Sequence, residues 1–446
     1  MVNAYLKKVF IKNFKSLHDC EIDIGKLNVV VGANASGKSN LAEAFRLLKK
    51  IYVEKDTFPF LEWWGYNNVV WQRKEELPII IGLLFDIEGY DVYFETNFTG
   101  TGGKFQILRE LLDIKGYLKF EKKGEWTAVK HDMNFIDSVI ENPQKYNVSS
   151  EGKLIISKHK DNLIKEVKIP WGELPNLLNL IQDFTYNKYD NIEGKNVAKI
   201  SYEKIADWEI FAPVVVALRY KEKEYYGNIY AVSSTRILRT LEKLSVLYPL
   251  NIRSMKNPQP LRREETLRED GTNIASVYHT IYLKEGKIPE EIYNPLSMVF
   301  PKIDVRPHIT DDGRVMIKFF EDGLELLPPN TSDGFYKILT VLTAIYLKPP
   351  LLIIDEIENS LHPSTLELIL DTIKIGDTQA IITTHSPVVV DMTELSNIVL
   401  VEKEQGESKF KRIKDPEKIK EFLIEKGITF SEGWIYGDLF KTEKQA

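Results

Sequence analysis

The stretch LNVVVGANASGKSNLAEAF, residues 27 to 45, limits the folds open to this chain more than any other. Leu27 to Val31 read as a buried apolar strand, and a helix begins near Lys38. Between them Gly32 to Ser39 fit the spacing G-x-x-x-x-G-K-[ST], in the strand–loop–helix context that this spacing requires. Gly32 and Gly37 permit dihedrals and close approaches that a side chain would block. The successive amides of Asn34, Ala35, Ser36, Gly37, Lys38 and Ser39 then point into one concavity that can wrap a phosphate. The positive end of the following helix favours negative charge at that point. Lys38 is placed to reach outer phosphates, and the Ser39 hydroxyl to hold a Mg2+ ion bridging them. A glycine-rich turn with an accidental lysine is the competing reading, and the strand and helix on either side argue against it.

Composition narrows the setting. The chain has 446 residues, enough for two domains or one elaborated domain, and a formal net charge of −6, which gives no global positive field of the kind that marks a nucleic-acid binder. A local basic face remains compatible with that average, so DNA stays open as a partner. The single cysteine, Cys20, excludes an internal disulfide framework and suits a reducing compartment. The start, MVNAYLKKVFIKNF, has no signal-peptide core, and no apolar run approaches the roughly 18 residues needed to span a bilayer. A cytoplasmic protein without a membrane partner is expected.

Along the chain, residues 4–12, Glu21 to Ile24 and Leu27 to Val31 read as strands, with NFKSL in the first turn. The phosphate-loop helix should run from Lys38 to Tyr52. An aromatic connector with Trp63, Trp64 and Trp71 follows, and burial under a long loop is favoured over base stacking. From Pro78 to Lys130, alternating runs such as IIIGLLFDI and DVYFETNF read as an antiparallel meander. KLIISKHKDNLIKEVKI reads as a hairpin turning at Lys160 to Asn162. Helical periodicity marks LPNLLNLIQDF, TRILRTLEKLSVLY, TNIASVYHTIYL and EEIYNPLSMVF. RREETLRED, 262–270, reads as solvated surface. DVRPHI and RVMIKFF are strands, Thr331 to Leu347 a helix, LLIIDE a strand, SLHPSTLELILDTI a helix, QAIITT and NIVLVEKE strands, and Pro416 to Lys426 a helix. The expected organisation is α/β: an N-terminal lobe, 1–134, with the phosphate loop and an antiparallel β subdomain; a mainly helical insertion, 135–300, without long coiled coil; and a C-terminal lobe, 301–446.

LLIIDEIE, 351–358, is the strongest partner for the phosphate loop. A buried parallel strand ending in Asp355 delivers a carboxylate to the carboxyl edge of a sheet, where ligands of open α/β folds bind. Asp355 can share the metal with Ser39. Glu356, one residue on, is placed to orient or activate a water against a γ-phosphate. His385, after the next strand, can reach the same phosphate; a His before Ser-Pro in a turn fits a structural role equally well by itself, and the neighbouring motifs tip the reading toward function. His362 reads as a turn or interface residue. SDG, 332–334, opens a helix, and Ser332 with the helix-start amides forms a second anion-binding surface. Its meeting with the phosphate loop is expected across a head-to-tail pair of chains.

Taken together, FIKNFKSL, VGANASGKSNLAEAF, SDGFYKILTVLTAI, LLIIDEIENSLHP and TTHSP resemble the ATPase module of the OLD, RecF, Rad50 and SMC group of ABC-type ATPases. The match is tightest to the prokaryotic AAA-21 or OLD-like family, which supplies ATPase subunits of anti-phage systems. LREDGTNIASVYHTI and ITFSEGWIYGDLF are also similar to that family. The resemblance implies an ABC-type head that binds ATP and Mg2+. Gly32 to Ser39 would be Walker A, with Gly32, Asn34 to Ser39 and Asn40 on the nucleotide, Asp355 and Glu356 Walker B, Ser332 to Gly334 a signature motif acting in trans, Ser360 to Pro363 the D-loop and His385 the switch histidine. Lys15 would lie where related enzymes contact the nucleotide. The signature reads SDG rather than the fuller LSGGQ-like form. About 60 residues follow His385, too few for the Toprim nuclease domain of OLD proteins, so no nuclease domain is expected. The resemblance implies a homodimer or higher homo-oligomer formed through the ATP interface, serving a separate nuclease or toxin effector. The competing readings are a DNA-repair ATPase similar to RecF and a binding module in which ATP only holds a conformation.

Overall fold

A computed structural model of the chain describes residues 4–131 except 88, 116–117 and 124–125; residues 141, 166–170, 208–211, 216–220 and 223–227; and residues 229–435 except 414. The helix expected at LPNLLNLIQDF, the first arm and turn of the 153–169 hairpin, and the end of ITFSEGWIYGDLF lie outside the described residues.

The first part of the chain runs β1 (Tyr5–Phe14), β2 (Leu17–Asp23), β3 (Leu27–Val31), α1 (Lys38–Tyr52), β4 (Ile79–Ile87), β5 (Tyr90–Thr99), β6 (Gln106–Ile114), β7 (Leu118–Lys123), β8 (Trp126–His131), β9 (Glu166–Pro170), β10 (Trp208–Phe211), β11 (Val216–Tyr220), β12 (Lys223–Gly227) and α2 (Ile229–Glu242). The remainder runs β13 (Ser245–Leu247), α3 (Ile252–Met255), β14 (Gln259–Pro260), α4 (Ile274–Glu285), α5 (Glu290–Val299), β15 (Ile303–Ile309), β16 (Arg314–Glu321), β17 (Leu324–Leu326), α6 (Asp333–Tyr346), β18 (Leu351–Ile354), α7 (Pro363–Ile375), β19 (Gln379–Thr384), α8 (Pro387–Asp391), β20 (Ile398–Glu404), β21 (Glu407–Arg412), α9 (Pro416–Lys426) and α10 (Phe430–Ile435). The class is α/β with an antiparallel β subdomain, and among the described residues the longest helix is α1, 15 residues.

Two compact units share the chain, one of Met1–Glu21 with Leu47–Glu242, the other of Ile22–Arg46 with Lys243–Ala446. These boundaries do not coincide with divisions at 134 and 300. The phosphate loop packs with residues 243–446 because the strand that feeds it finds its neighbours there.

The first unit is built on an eight-stranded sheet ordered β2-β1-β4-β5-β6-β7-β8-β9. From β4 to β9, strands adjacent in sequence are adjacent in space and antiparallel, as a meander requires. In β5 buried and partly exposed residues alternate, the period-2 signature of a sheet with one covered face. Tyr52 donates to the fully buried Glu110 at 2.6 Å, and burial pushes the phenol well above its usual range. In the aromatic connector Trp71 is buried and stacks on His18, Trp63 meets Phe14 edge-on, and Trp64 is 89% exposed. Packing therefore accounts for two of the three rings.

The second unit centres on a six-stranded sheet ordered β13-β18-β19-β3-β20-β21. The first five strands are mutually parallel and β21 turns back on β20. Every residue of β3, β18 and β19 is buried. That explains why these strands read as continuous apolar runs, the pattern of a parallel sheet covered on both faces. Helix α6 is buried from Phe335 to Ala344. A small antiparallel sheet of β14, β15, β16 and β17 adds Phe319, which stacks on Phe335.

Two local expectations are corrected. Ser245–Leu247 is a strand and not the end of a helix, because SVL pairs in parallel with Leu352–Ile354 and tertiary pairing outweighs a short helical period. RREETLRED is not all solvated surface: Leu267 is buried and Glu269 pairs with Arg46 at 2.5 Å.

Candidate functional site

The site lies wholly within the second unit. The register Ile354↔Ile382 and Thr384↔Val31 brings the carboxyl ends of β18, β19 and β3 to one edge of the sheet, with β19 in the middle. From this edge three loops emerge: Gly32–Ser39 after β3, residues 355–362 after β18, and His385–Ser386 after β19. Sequence proximity has no part in this. The residues that meet are more than three hundred apart and are joined by the ladder.

The phosphate loop has little steric slack. A Cβ on Gly32 would lie 2.4 Å from the Val401 carbonyl oxygen and 2.7 Å from Ser36 Oγ, so only glycine fits. Gly37 has φ +102° and Ala35 φ +60°, the backbone that curls the chain into a concave turn. Ser408 Oγ on β21 donates to the Ser36 carbonyl at 2.6 Å and pins the far side of the loop. Asn34 and Ala35 are exposed, Ser36 is buried, and Asn40 opens α1 with its amide on the Gly37 carbonyl at 3.1 Å. Lys38 is buried, its ammonium donating to the Gly32 and Ala33 carbonyls at 2.8 and 2.9 Å. Burial holds that ammonium below the usual lysine range, against the pull of Asp355, Glu358 and Glu356.

Ser39 Oγ donates to the Asp355 carboxylate, 3.1 Å from Oδ1 and 3.0 Å from Oδ2. Thr383 Oγ1, at the end of β19, donates to the same Oδ1 at 2.5 Å. Burial raises the Asp355 carboxyl above its ordinary range, opposed by the bonds from Thr383 and Ser39. A hydroxyl and a carboxylate converging beside a buried lysine are the hard oxygen ligands that Mg2+ takes alongside phosphate oxygens, so these residues fit the expected metal and polyphosphate.

Beyond Asp355 the chain is sewn to the end of β19. Glu356 takes the left-handed conformation, φ +48°, and its amide donates to Thr383 Oγ1 at 2.9 Å. The Ile357 amide donates to the Thr383 carbonyl at 3.2 Å. The half-buried Glu356 side chain accepts from Asn359 at 2.7 Å, and its carbonyl accepts from Lys337 Nζ at 2.9 Å. Lys337, on the buried face of α6, is lowered to about 8 by burial, against Glu358, Glu356 and Asp355. His385 donates its amide to Glu358 Oε1 at 2.8 Å, with its ring Nδ1 2.9 Å from the same oxygen.

Ser332 caps α6 and accepts from the Gly334 amide at 3.1 Å. A Cβ on Gly334 would stand 3.0 Å from the Ser360 carbonyl oxygen, so the helix start and the 360 turn pack closely. His362 caps α7, its ring nitrogen accepting from the Ser364 amide, a turn role. Lys15 belongs to the first unit, where its amide donates to the Val69 carbonyl and its ammonium lies over the Phe14 and Trp63 rings.

Of the residues expected from sequence, the fold brings Gly32, Lys38, Ser39, Asp355, Glu356 and His385 to one sheet edge. Thr383, Lys337 and Glu358 were missed. For Lys337 the signal was a lone charge inside the apolar run FYKILTVLTAI. For Glu358 it was a third acid two residues after Glu356. Thr383 carried none beyond its place at a strand end.

Residues 5–236, just over half of the chain, match the family described as "AAA ATPase domain". The chain belongs to that family. Residues 236–391 of this AAA ATPase match a second description, "AAA domain, putative AbiEii toxin, Type IV TA system". Among curated relatives, a DNA replication and repair protein RecF of Thermoanaerobacter sp. (strain X514) is 26% identical over 192 residues, 40% of this chain and 50% of the relative. A second, from Thermoanaerobacter pseudethanolicus, matches to the same extent, so the chain spans about half the length of these two. RecF of Caldanaerobacter subterraneus subsp. tengcongensis is 24% identical over 295 residues, 63% of this chain and 70% of the relative. Similar solved structures include an SmcHead bound to the C-winged helix domain of ScpA, with TM-score 0.46, 14% identity, and 92% and 98% of the two chains covered. An SMC head domain from Thermotoga maritima gives TM-score 0.40 at 14% identity, covering 92% and 100%.

Proposed function

We propose that this AAA ATPase of the ABC type binds ATP with Mg2+, hydrolyses it, and dimerises around it to act as sensor or scaffold for a separate effector, a nuclease or toxin, in defence against phage. The observation that carries the ATPase reading is the meeting of Ser39 with Asp355, 316 residues apart in sequence, beside a buried lysine. Ser39 and Asp355 would hold Mg2+, which would supply neutralisation of charge on the phosphate.

The chain's own groups divide the work. The loop amides from Asn34 to Ser39 and the start of α1 bind the phosphates, Asn40 closing the turn. Lys38, tethered to two loop carbonyls, is pre-positioned and trades those acceptors for phosphate oxygens. Glu356 orients the attacking water and accepts its proton, and His385 holds the outer phosphate. Ser332 and Gly334 of one protomer cap the nucleotide held by the other. In this reading the chain works in the cytoplasm.

The family description matched by residues 236–391, which names a putative toxin and a type IV toxin–antitoxin system, supports a place in a defence system of that kind. The RecF relatives support the alternative, a DNA-repair ATPase. Stimulation of turnover by gapped or ended duplex, with affinity falling steeply as salt rises, selects that alternative, and co-purification of a second polypeptide selects the first. Lys38→Ala tests the whole site: calorimetry should show loss of ATP binding, and retained affinity removes the assignment.

A further inference from the structure

We propose that Glu358 is a positioning residue that fixes the orientation and tautomer of His385, so that the imidazole presents Nε2, and only Nε2, to the reacting phosphate edge. The inference deepens the ATPase reading for its kinetic consequence and is independent of it for the tautomer.

The turn after β18 explains why this acid reaches that ring. Ile357 is fully buried and its amide is bound to the Thr383 carbonyl, which holds this turn, with Glu356 and Glu358 on either side, against the end of β19. Glu356 is engaged by Asn359. Glu358 instead reaches the residue that follows β19. One of its oxygens, Oε1, receives both the backbone amide of His385 at 2.8 Å and the ring nitrogen Nδ1 at 2.9 Å. The carboxylate oxygen accepts at this contact, so the proton sits on Nδ1 and Nε2 is the ring nitrogen left to face the site. The Glu358 side chain is 11% exposed while His385 is 41% exposed. The acid is therefore the fixed partner and the imidazole the accessible one.

Its second oxygen supports the assignment. Glu358 Oε2 is buried and has no hydrogen-bond partner among the described residues. Leaving a charged oxygen in that state costs stability, and such groups concentrate where function requires them. Two buried ammonium groups offset the cost: Glu358 is the foremost group opposing the burial shift of Lys337 and the second for Lys38. Glu358 thus stands between the phosphate-binding lysine, the lysine of the signature helix and the ring that closes the site. Removing the acid behind a metal-bound imidazole costs about 10–100-fold in affinity or activity, and an effect of that order is expected for this ring.

The test uses the full chain labelled with 15N-histidine, with the His385 signal identified by its loss in His385→Gln. The wild-type ring should show the Nδ1–H tautomer, and Glu358→Ala should move it to the Nε2–H form that free imidazole favours in water. In parallel, Glu358→Ala and the near-isosteric Glu358→Gln should lower kcat about 10–100-fold while KM and the Kd for ATP stay within about twofold. An Nε2–H ring in the wild type, or an unchanged kcat in both variants, overturns the proposal. Should the wild type fail to hydrolyse ATP while the tautomer still switches in Glu358→Ala, the positioning stands and it is the ATPase reading that falls.

Discussion

Gly32→Ala puts one methyl group where the loop has no room for it. An added Cβ would sit 2.4 Å from the Val401 carbonyl oxygen, about 1 Å inside ordinary contact, and 2.7 Å from Ser36 Oγ. The serine hydroxyl can rotate, but the carbonyl cannot. Val401 lies on β20, whose register Leu400↔Val31 fixes it against the strand that ends one residue before Gly32. The conflict must be relieved by displacing the start of the phosphate loop. Overpacking of this kind costs about 1–3 kcal/mol. For a unit of this size each kcal/mol corresponds to about 3 °C, so the melting temperature should fall by roughly 3–9 °C. The Gly32 carbonyl, which anchors Lys38 at 2.8 Å, moves with it, and ATP affinity should weaken at least tenfold. Differential scanning calorimetry without nucleotide and titration calorimetry with ATP measure the two effects separately. A variant that melts within 1 °C of wild type and binds ATP equally well refutes the packing argument and the loop geometry on which it rests.

Glu356→Gln should reduce turnover at least 100-fold while trapping an ATP-bound dimer visible by sizing; an unchanged rate removes Glu356 from the reaction. Ser332→Arg should leave ATP binding by the monomer intact and block nucleotide-dependent association, and normal dimerisation would sink the in-trans role. Lys337→Met should stabilise the nucleotide-free protein. Burial lowers this lysine from 10.5 to about 8, a gap worth roughly 3 kcal/mol, and the lost bond to the Glu356 carbonyl offsets about 1 kcal/mol. A base depressed by folding carries its full cost below pH 8 and is relieved as the pH climbs to 10.5. The variant's advantage in melting temperature should therefore be constant near pH 7 and shrink across pH 8–10.5; a variant less stable than wild type at pH 7 contradicts it.

Much of the site could be read from the chain because its motifs are local consequences of backbone geometry. Gly32, Gly37 and Lys38 announce the phosphate loop, and α1 begins and ends where its apolar period does, at Lys38 and Tyr52. LLII reads as a strand because it is buried on both faces. What escaped is set by tertiary pairing. Nothing in SVL distinguishes a last helical turn from an edge strand until β18 lies beside it. Thr383 and Glu358 act through contacts between two loops that only the order of strands brings together. The division of the chain was hidden for the same reason, since β3 is an early strand whose neighbours are all late ones.

That early strand has a further consequence during synthesis. β3 leaves the ribosome with the sequence LNVVV, and its partners among the described residues, 380–384 and 398–400, are still some 350 codons away. At about 5–20 residues per second the wait is roughly 20–70 s. Throughout that interval a short, hydrophobic, unpaired segment is available to chaperones or to other nascent copies. A transcript broken before codon 355 therefore yields a product that lacks both strands that flank β3 and the Asp355 carboxylate that Ser39 meets.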